Sequence, residues 1–258
     1  LLFIVGYSSM FNNISLPNER SRAYLATSIV DEHTFSIDTP LKRFGRIGDR
    51  ARYEGHYFSD KAPGSAILGS LSYGIARLFT EAKDWTMAEL LRLFRRTLSL
   101  PIALLGFIWL RRLLGLYQQR FIVVEWTSWS WLLGSAAFHY SGAFFGHQMA
   151  AALLVGSFLY VRLGVIRSTT KSLYISGALS GCAVLIEYPA ALGVLAIGLY
   201  AALHISTLKS RLVLWILAGL PFALLLGWYH QQCFGSSFSF PYEHLAAATY
   251  RKIHGAGE

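Results

Sequence analysis

Carboxylates and cations lie close together at several points of this sequence. Glu19 is followed at once by Arg20 and, two residues later, by Arg22, and Asp60 is followed by Lys61. A carboxylate can take a proton from a hydroxyl group, and a nearby cation can stabilise negative charge on a phosphate. These residue types suit general-base chemistry beside a phosphate, provided that folding brings the two kinds of group together.

The composition indicates the surroundings of such a site. Hydrophobic residues make up 54% of the 258 residues and charged residues 14%, whereas a soluble domain carries about 25% charged residues. This excludes a disordered chain, a coiled coil and an ordinary soluble domain, and it predicts an all-α protein that crosses a membrane several times. We assign the net charge of +9 to membrane topology and phosphate chemistry, not to nucleic-acid binding.

Apolar stretches predict about seven transmembrane helices in one domain. Residues 1–11 are too short to span a membrane and are expected to be the end of a truncated first helix. Residues 12–96 then form a long polar loop, 97–229 a helix bundle and 230–258 a second polar segment, and we expect a C-terminal part of the protein to be missing. The predicted spans of the bundle are 97–116, 121–138, 144–161, 172–187, 189–205 and 212–229.

The short loops predict the orientation of the bundle. Loops 111–120, 162–171 and 206–211 carry eight Lys or Arg residues, whereas the alternate loops, at 139–143 and 187–189, carry none. Basic short loops stay in the cytoplasm, and long loops cross the membrane largely regardless of their charge. The loop 12–96 and the segment 230–258 are therefore predicted to be extracytoplasmic.

Two apolar segments of the long loop are predicted to be interfacial helices. Residues 63–79 suit a helix that lies on the outer surface or enters it shallowly, and residues 84–96 form an amphipathic approach to the next span. If residues 63–79 crossed the membrane instead, every later loop would change sides and the basic loops would lie outside. The interfacial interpretation agrees better with the loop charges.

Under this topology, ionisable and polar residues gather near the outer ends of the helices. The motifs of zinc proteases, serine hydrolases and P-loop proteins are absent from the sequence. Cys182 and Cys233 offer neither a disulfide framework nor metal-ligand spacing, so neither a metal nor another cofactor is predicted. The residues that gather are Glu19, Asp60, Lys61, Arg92, Arg96, His139, His147, Glu187, His230, Tyr242, Glu243 and His244.

A series of short motifs carries a family resemblance. The sequence P-N-E-R-S-R at 17–22 is followed by G-H-Y-F-S-D-K-A-P-G at 55–64, F-G-H at 145–147, E-Y-P at 187–189 and F-G-S at 234–236. In this order the motifs resemble the GT-C superfamily of membrane glycosyltransferases, in particular the bacterial, protein-mannosyltransferase-like enzymes that use a polyprenyl-phosphate sugar. The resemblance covers nearly the whole chain and is densest in residues 17–64.

The resemblance implies a role for several residues. Glu19 matches the carboxylate that acts as catalytic base, although many relatives have an acidic pair where this chain has Asn18 and Glu19. It would deprotonate the acceptor hydroxyl, which would displace polyprenyl phosphate from the anomeric carbon of the sugar. Lys61 and one of the arginines at 92, 95 and 96 match positions that hold the donor phosphate. The predicted donor- and substrate-binding residues are Asn18, Arg22, Tyr57, Asp60, Lys61, Arg92, Arg96, His147, Glu187 and Tyr242.

The expected partners follow from the same resemblance. The donor would be a polyprenyl-phosphate-linked sugar, a mannose-like hexose or a pentose, and the acceptor a glycan, lipid or protein. Membrane lipid would surround the bundle, no nucleic acid would be bound, and the active site would face outward from the cell membrane. A non-enzymatic lipid-phosphate transporter or flippase and a structural membrane subunit remain alternatives.

Each candidate residue also has a plainer interpretation. Glu19 could be a solvated loop acid, and Asp60 with Lys61 a polar turn at the lipid headgroups. The arginines at 92, 95 and 96 could anchor a helix at the membrane surface. His147 and Glu187 could be a buried pair that holds two helices together.

Overall fold

The computed structural model describes residues 15–80, 84–118, 120–204 and 209–246. In these residues the chain is helical almost throughout, so the prediction of an all-α protein is confirmed. One hairpin of two strands, β1 (Ala51–Tyr53) and β2 (His56–Phe58), interrupts the helices of the described part. The helices are α1 (Pro17–Asp31), α2 (Asp38–Phe44), α3 (Gly64–Phe79), α4 (Met87–Phe94), α5 (Leu100–Gly115), α6 (Phe121–Leu133), α7 (Ala136–Ser141), α8 (Gly146–Arg167), α9 (Thr170–Ile186), α10 (Ala190–His204) and α11 (Lys209–Phe234), with a π-helical turn at Arg95–Ser99 and a 3₁₀ turn at Pro241–His244.

Among the described residues, three helices are long and apolar enough to cross a membrane. They are Met87–Gly115, Gly146–Arg167 and Arg211–Phe234. Helices α9 and α10 are apolar but shorter. The membrane-protein character is therefore supported, whereas the count of seven spans stays a prediction. The predicted truncated span at 1–11 lies outside the described residues.

Several helix ends differ from the predicted ones. The predicted boundary between residues 96 and 97 falls inside the continuous helix Met87–Gly115. Pro101 has no N–H to continue the α-helical pattern, and a π turn precedes it, in which the Leu100 N–H donates to the Arg95 carbonyl. The helix α11 also continues to Phe234, past the predicted boundary at 229.

The predicted span 121–138 is divided into two helices. Helix α6 ends at Leu133, where the Gly134 N–H donates to the Ser130 carbonyl at 2.8 Å, and α7 begins at Ala136. A Cβ atom on Gly134 would lie only 2.8 Å from that carbonyl oxygen. The glycine therefore permits a tight helix end that apolar periodicity alone did not reveal.

The chain, predicted as one domain, separates into two compact units. The described residues of the first unit fall within 1–100, 142–145 and 225–246, and those of the second within 101–141 and 146–224. In the first unit α1 packs on α3, and Gly69 permits their close approach because a Cβ atom there would lie 3.3 Å from Ala26 Cβ. The stacked rings of Phe94 and Phe144, 4.7 Å apart, extend this core.

A short hairpin organises the polar part of the first unit. Its two-residue turn consists of Glu54 and Gly55, whose φ angles of 47° and 89° are both positive, as a type I′ hairpin turn requires. The Ala246 N–H donates to the Arg50 carbonyl at 3.0 Å. The chain after α11 therefore packs against the hairpin, so both segments must lie on the same side of a membrane.

Polar contacts and glycines join the helices of the second unit. The Ser157 hydroxyl lies 2.9 Å from that of Ser176 and 2.7 Å from that of Ser180, so it connects α8 with α9. Trp215 Nε1 of α11 donates to the Ser176 hydroxyl at 3.0 Å. A Cβ atom on Gly177 would lie 2.0 Å from the Trp215 carbonyl oxygen, so α9 and α11 touch through small residues, as is common in membranes.

Candidate functional site

Glu19, the predicted base, is buried in an ion pair with Arg95. Arg95 Nε donates to one carboxylate oxygen at 2.9 Å and Arg95 Nη2 to the other at 2.7 Å. The Phe144 N–H donates to the first oxygen at 2.6 Å. The Glu19 side chain is 1% exposed and the Arg95 side chain 3%. This is the bidentate geometry in which arginine binds carboxylates most strongly.

The Glu19 carboxylate has little remaining capacity to accept a proton from a substrate. A carboxylate offers about four lone-pair sites, and Arg95 and Phe144 fill three of them. The Leu16 N–H takes the fourth in a longer contact of 3.5 Å. The role of Glu19 as base stays a prediction, and in this arrangement it requires that Arg95 release one oxygen.

Arg95 is the member of the arginine group that reaches Glu19, whereas the prediction favoured its neighbours. Arg92 is half buried, and its Nε lies 3.5 Å from the Ala88 carbonyl of its own helix. Arg96 is exposed. Arg95 follows Leu91 by four residues in the continuous helix Met87–Gly115, and both residues are buried. Ordinary helical spacing could therefore have identified Arg95.

Lys61 lies between two carboxylates at the end of the hairpin. Its ammonium nitrogen is 3.1 Å from an oxygen of Asp49 and 3.1 Å from an oxygen of Asp60. The side chains of Lys61, Asp49 and Asp60 are 15%, 13% and 5% exposed. Asp49 was not among the predicted residues. The Glu54–Gly55 turn could have identified it, because the register that pairs Ala51 with Phe58, extended by two residues, would place Asp49 opposite Asp60.

The protonation of this group follows from its burial and its charges. Burial disfavours the charged ammonium, but the carboxylates of Asp60 and Asp49 together outweigh it and raise the pKa of Lys61 above its usual value of 10.5. Burial raises the pKa of Asp60, Asp49 adds to the rise, and Lys61 opposes it. Lys61 is therefore a fixed cation at neutral pH.

Helix α1 connects the two ion-pair groups through one face. The Ser21 hydroxyl lies 2.8 Å from that of Ser59 and 3.5 Å from an oxygen of Asp60. Arg22, which is 1% exposed, donates to Asn18 Oδ1 at 3.0 Å and to the Ser65 hydroxyl at 2.7 Å. Positions 18, 19, 21 and 22 occupy one side of a helix, so the motif at 17–22 directs all four side chains into the unit.

The charges of this interior are balanced. Three carboxylates and three cations share it: Glu19, Asp49 and Asp60, and Arg22, Lys61 and Arg95. Burial of charged pairs costs desolvation energy that apolar side chains of the same size would avoid. Such a group is weak evidence for stability and better evidence for a functional site.

Two further predicted residues lie in the same unit. Tyr57 is on β2, with the guanidinium carbons of Arg50 and Arg52 at 5.1 and 5.7 Å from its ring centre. Tyr242 is half buried in the 3₁₀ turn Pro241–His244. The role of Tyr242 in binding substrate stays a prediction.

A histidine–carboxylate pair lies beside Tyr57 and was not predicted. His56 Nδ1 is 2.7 Å from Asp38 Oδ2, and the Tyr57 N–H donates to Asp38 Oδ1 at 2.9 Å. Partial burial alone would raise the pKa of Asp38, but the hydrogen bonds from His56, Tyr57 and Ser36 outweigh it and hold that pKa below its usual value. Asp38 is therefore an anion at neutral pH.

The remaining predicted pair belongs to the second unit. His147 Nδ1 at the start of α8 lies 3.5 Å from Glu187 Oε2 at the end of α9. The Glu187 side chain is 13% exposed, but that of His147 is 47% exposed. The structure brings the two residues together in a long contact across two helices, which fits the plainer interpretation of a helix-joining pair.

Metal-ligand geometry and similarity to known proteins add no further site. The described residues contain no group of three or more His, Cys, Asp or Glu side chains placed to hold a metal ion. No protein-family model, curated protein or solved structure matches the chain. The resemblance to GT-C enzymes therefore depends on the motifs of the sequence alone.

Proposed function

We propose that this chain is a membrane glycosyltransferase that moves a sugar from a polyprenyl-phosphate donor to an acceptor hydroxyl. The reaction would take place at the extracytoplasmic face of the cell membrane. The observation that supports the proposal most directly is Lys61, a nearly buried cation held between Asp49 and Asp60. It lies in the motif at 55–64, where the resemblance is densest.

Lys61 has the properties that a phosphate site needs. An ammonium group can donate three hydrogen bonds, and the described residues take two of them. One donor is left for a phosphate oxygen, at a side chain that keeps 15% of its surface in contact with solvent. The raised pKa of Lys61 keeps the cation charged when the phosphate arrives.

The proposed reaction is one displacement at the anomeric carbon. The acceptor oxygen forms a bond to that carbon while the bond from carbon to the phosphate oxygen breaks, and polyprenyl phosphate leaves with the electron pair. The acceptor proton passes to Glu19. Donor phosphate would attract Arg95, and a turn of Arg95 towards it would free a Glu19 oxygen for this proton. Binding of the donor would thus prepare the base.

The proposal is tested by sugar transfer from radiolabelled polyprenyl-phosphate sugars to added acceptors, with the full-length protein in liposomes. Lys61→Ala should weaken donor use by about tenfold to a hundredfold, because a charge-assisted hydrogen bond contributes roughly 1.5–3 kcal/mol. Lys61→Arg should keep more activity, since it retains a cation. Lys171→Ala, which removes an exposed lysine of the second unit, is the control and should leave transfer unchanged.

Two results would contradict the proposal. Movement of polyprenyl phosphate across the bilayer without any sugar transfer would favour the transporter alternative. Wild-type donor kinetics in Lys61→Ala would remove Lys61 from the site and reduce it to a structural partner of Asp49 and Asp60.

A further inference from the structure

A cation-rich cavity lies beside the hairpin. It has a volume of about 400 Å³. Neither Lys61 nor its partners Asp49 and Asp60 contribute to its wall, so it is separate from the proposed donor site. Its polar lining consists of Asp38, Lys42, Arg46, Arg50, His56 and Tyr57.

The three cations of this cavity are not neutralised by the protein. Within the described residues, no carboxylate forms an ion pair with Lys42, Arg46 or Arg50. Lys42 and Arg46 are exposed, and Arg50 is half buried with its guanidinium over the Tyr57 ring. An anion inside the cavity would meet cations from both α2 and the approach to β1.

The acid in the lining is already engaged. Both oxygens of Asp38 accept hydrogen bonds, from His56 Nδ1 at 2.7 Å and from the Tyr57 N–H at 2.9 Å. Asp38 therefore fixes the His56 ring and does not pair with the cations. Three cations against one engaged carboxylate leave the lining with a net positive charge of two when His56 is neutral.

We propose that this cavity binds a phosphate ester. Arginine and lysine together supply the forked and single donors that a tetrahedral phosphate accepts. A volume of about 400 Å³ exceeds that of one phosphate and leaves room for an attached sugar or glycerol. The ester has two possible sources, a soluble phosphosugar and the headgroup of an anionic lipid. The proposal goes beyond glycosyl transfer and does not depend on it.

Binding to the protein in phosphatidylcholine nanodiscs tests the proposal, with glucose 1-phosphate and glucose as probes in ligand-observed NMR. A parallel sample in nanodiscs that contain phosphatidylglycerol is analysed by mass spectrometry for lipid retained by the protein. The test variant is Lys42→Ala/Arg46→Ala. The matched control is Arg43→Ala/Lys171→Ala, which removes two exposed cations that do not line the cavity.

The wild type should bind glucose 1-phosphate but not glucose if the ester is a soluble phosphosugar. It should retain phosphatidylglycerol if the ester is a lipid headgroup. The affinity of the test variant should fall by about tenfold for each cation removed, or about a hundredfold in all. The affinity of the control should change by less than about threefold. Equal weakening by both double variants would overturn the proposal, as would equal binding of glucose or no response in either arm. Equal melting temperatures of the two double variants exclude unfolding as the cause. Sugar transfer can persist or fail independently, because Lys61 is untouched.

Discussion

Glu19 and Arg95 are almost completely excluded from solvent, and each is the other's charge partner. Removal of one member of a buried ion pair leaves a charge without compensation, which costs more than the pair itself contributes. The pair therefore connects the stability of the first unit with the chemistry proposed for it. The two contributions can be separated by substitution.

Glu19→Gln is expected to lower the free energy of unfolding by about 3–5 kcal/mol, because it removes the carboxylate that pairs with the buried Arg95 guanidinium. Arg95→Met should cost a similar amount. The double variant should recover most of the loss, since neither charge is then buried. Denaturant unfolding of the four proteins in detergent gives the coupling energy, and Glu54→Gln at an exposed acid is the control.

Turnover of the double variant, Glu19→Gln with Arg95→Met, then tests the role of Glu19 as catalytic base. Loss of general-base catalysis typically lowers turnover by about 10²–10⁴-fold, so the double variant should be folded but nearly inactive. If the free energies of unfolding of both single variants lie within about 1 kcal/mol of the wild type, Glu19 and Arg95 are not a buried ion pair whose members depend on each other.

At the scale of helices, close contacts between backbones contribute more to the packing of the second unit than helix propensity does. A Cβ atom on Gly177 would lie 2.0 Å from the Trp215 carbonyl oxygen, and one on Gly181 would lie 2.7 Å from the Gly219 carbonyl oxygen. The spacing of Gly177 and Gly181 in the sequence permits such an approach. In the second unit, α9 and α11 approach each other closely at these two glycines.

Gly177→Ala should therefore destabilise the protein, although alanine favours helices. The added methyl group forces α9 and α11 apart, and overpacking of this kind typically costs about 1–3 kcal/mol. The matched control is Gly115→Ala, where nothing lies within 4 Å of the added atom. Thermal unfolding in detergent should show a lower melting temperature for the first variant alone, and equal melting temperatures would contradict the packing of α9 on α11.

At the scale of the whole molecule, the charges of the short loops predict which side of the membrane each loop occupies. The loops that contain Gly115 and Ser168 are predicted to be cytoplasmic, whereas Glu32 and Ser237 belong to segments predicted to be outside. The hydrogen bond from Ala246 to Arg50 supports a common side for the latter two segments.

Single cysteines test the orientation in a background of Cys182→Ala and Cys233→Ala. In intact cells, an impermeant thiol reagent should label Glu32→Cys and Ser237→Cys but not Gly115→Cys or Ser168→Cys. Permeabilised cells should show labelling at all four positions, which excludes burial as the reason for protection. The opposite pattern would reverse the topology and place the Lys61 site in the cytoplasm.

The sequence by itself determined the helical membrane character, because the scarcity of charge in long apolar runs leaves few other structures possible. It also predicted Asp60 and Lys61 as partners of a polar site, since adjacent residues stay close in any fold. The helix at Gly64–Phe79 was likewise predictable from its apolar composition. These properties depend on composition and on short separations along the chain.

Only the tertiary structure decided which groups meet across long separations. Arg95 reaches Glu19 from 76 residues away and the Phe144 N–H from 125 residues away. Of the three arginines within five residues, Arg95 is buried and pairs with Glu19, whereas Arg96 is exposed. Such contacts arise from packing between distant segments, about which the periodicity of a single helix carries no information.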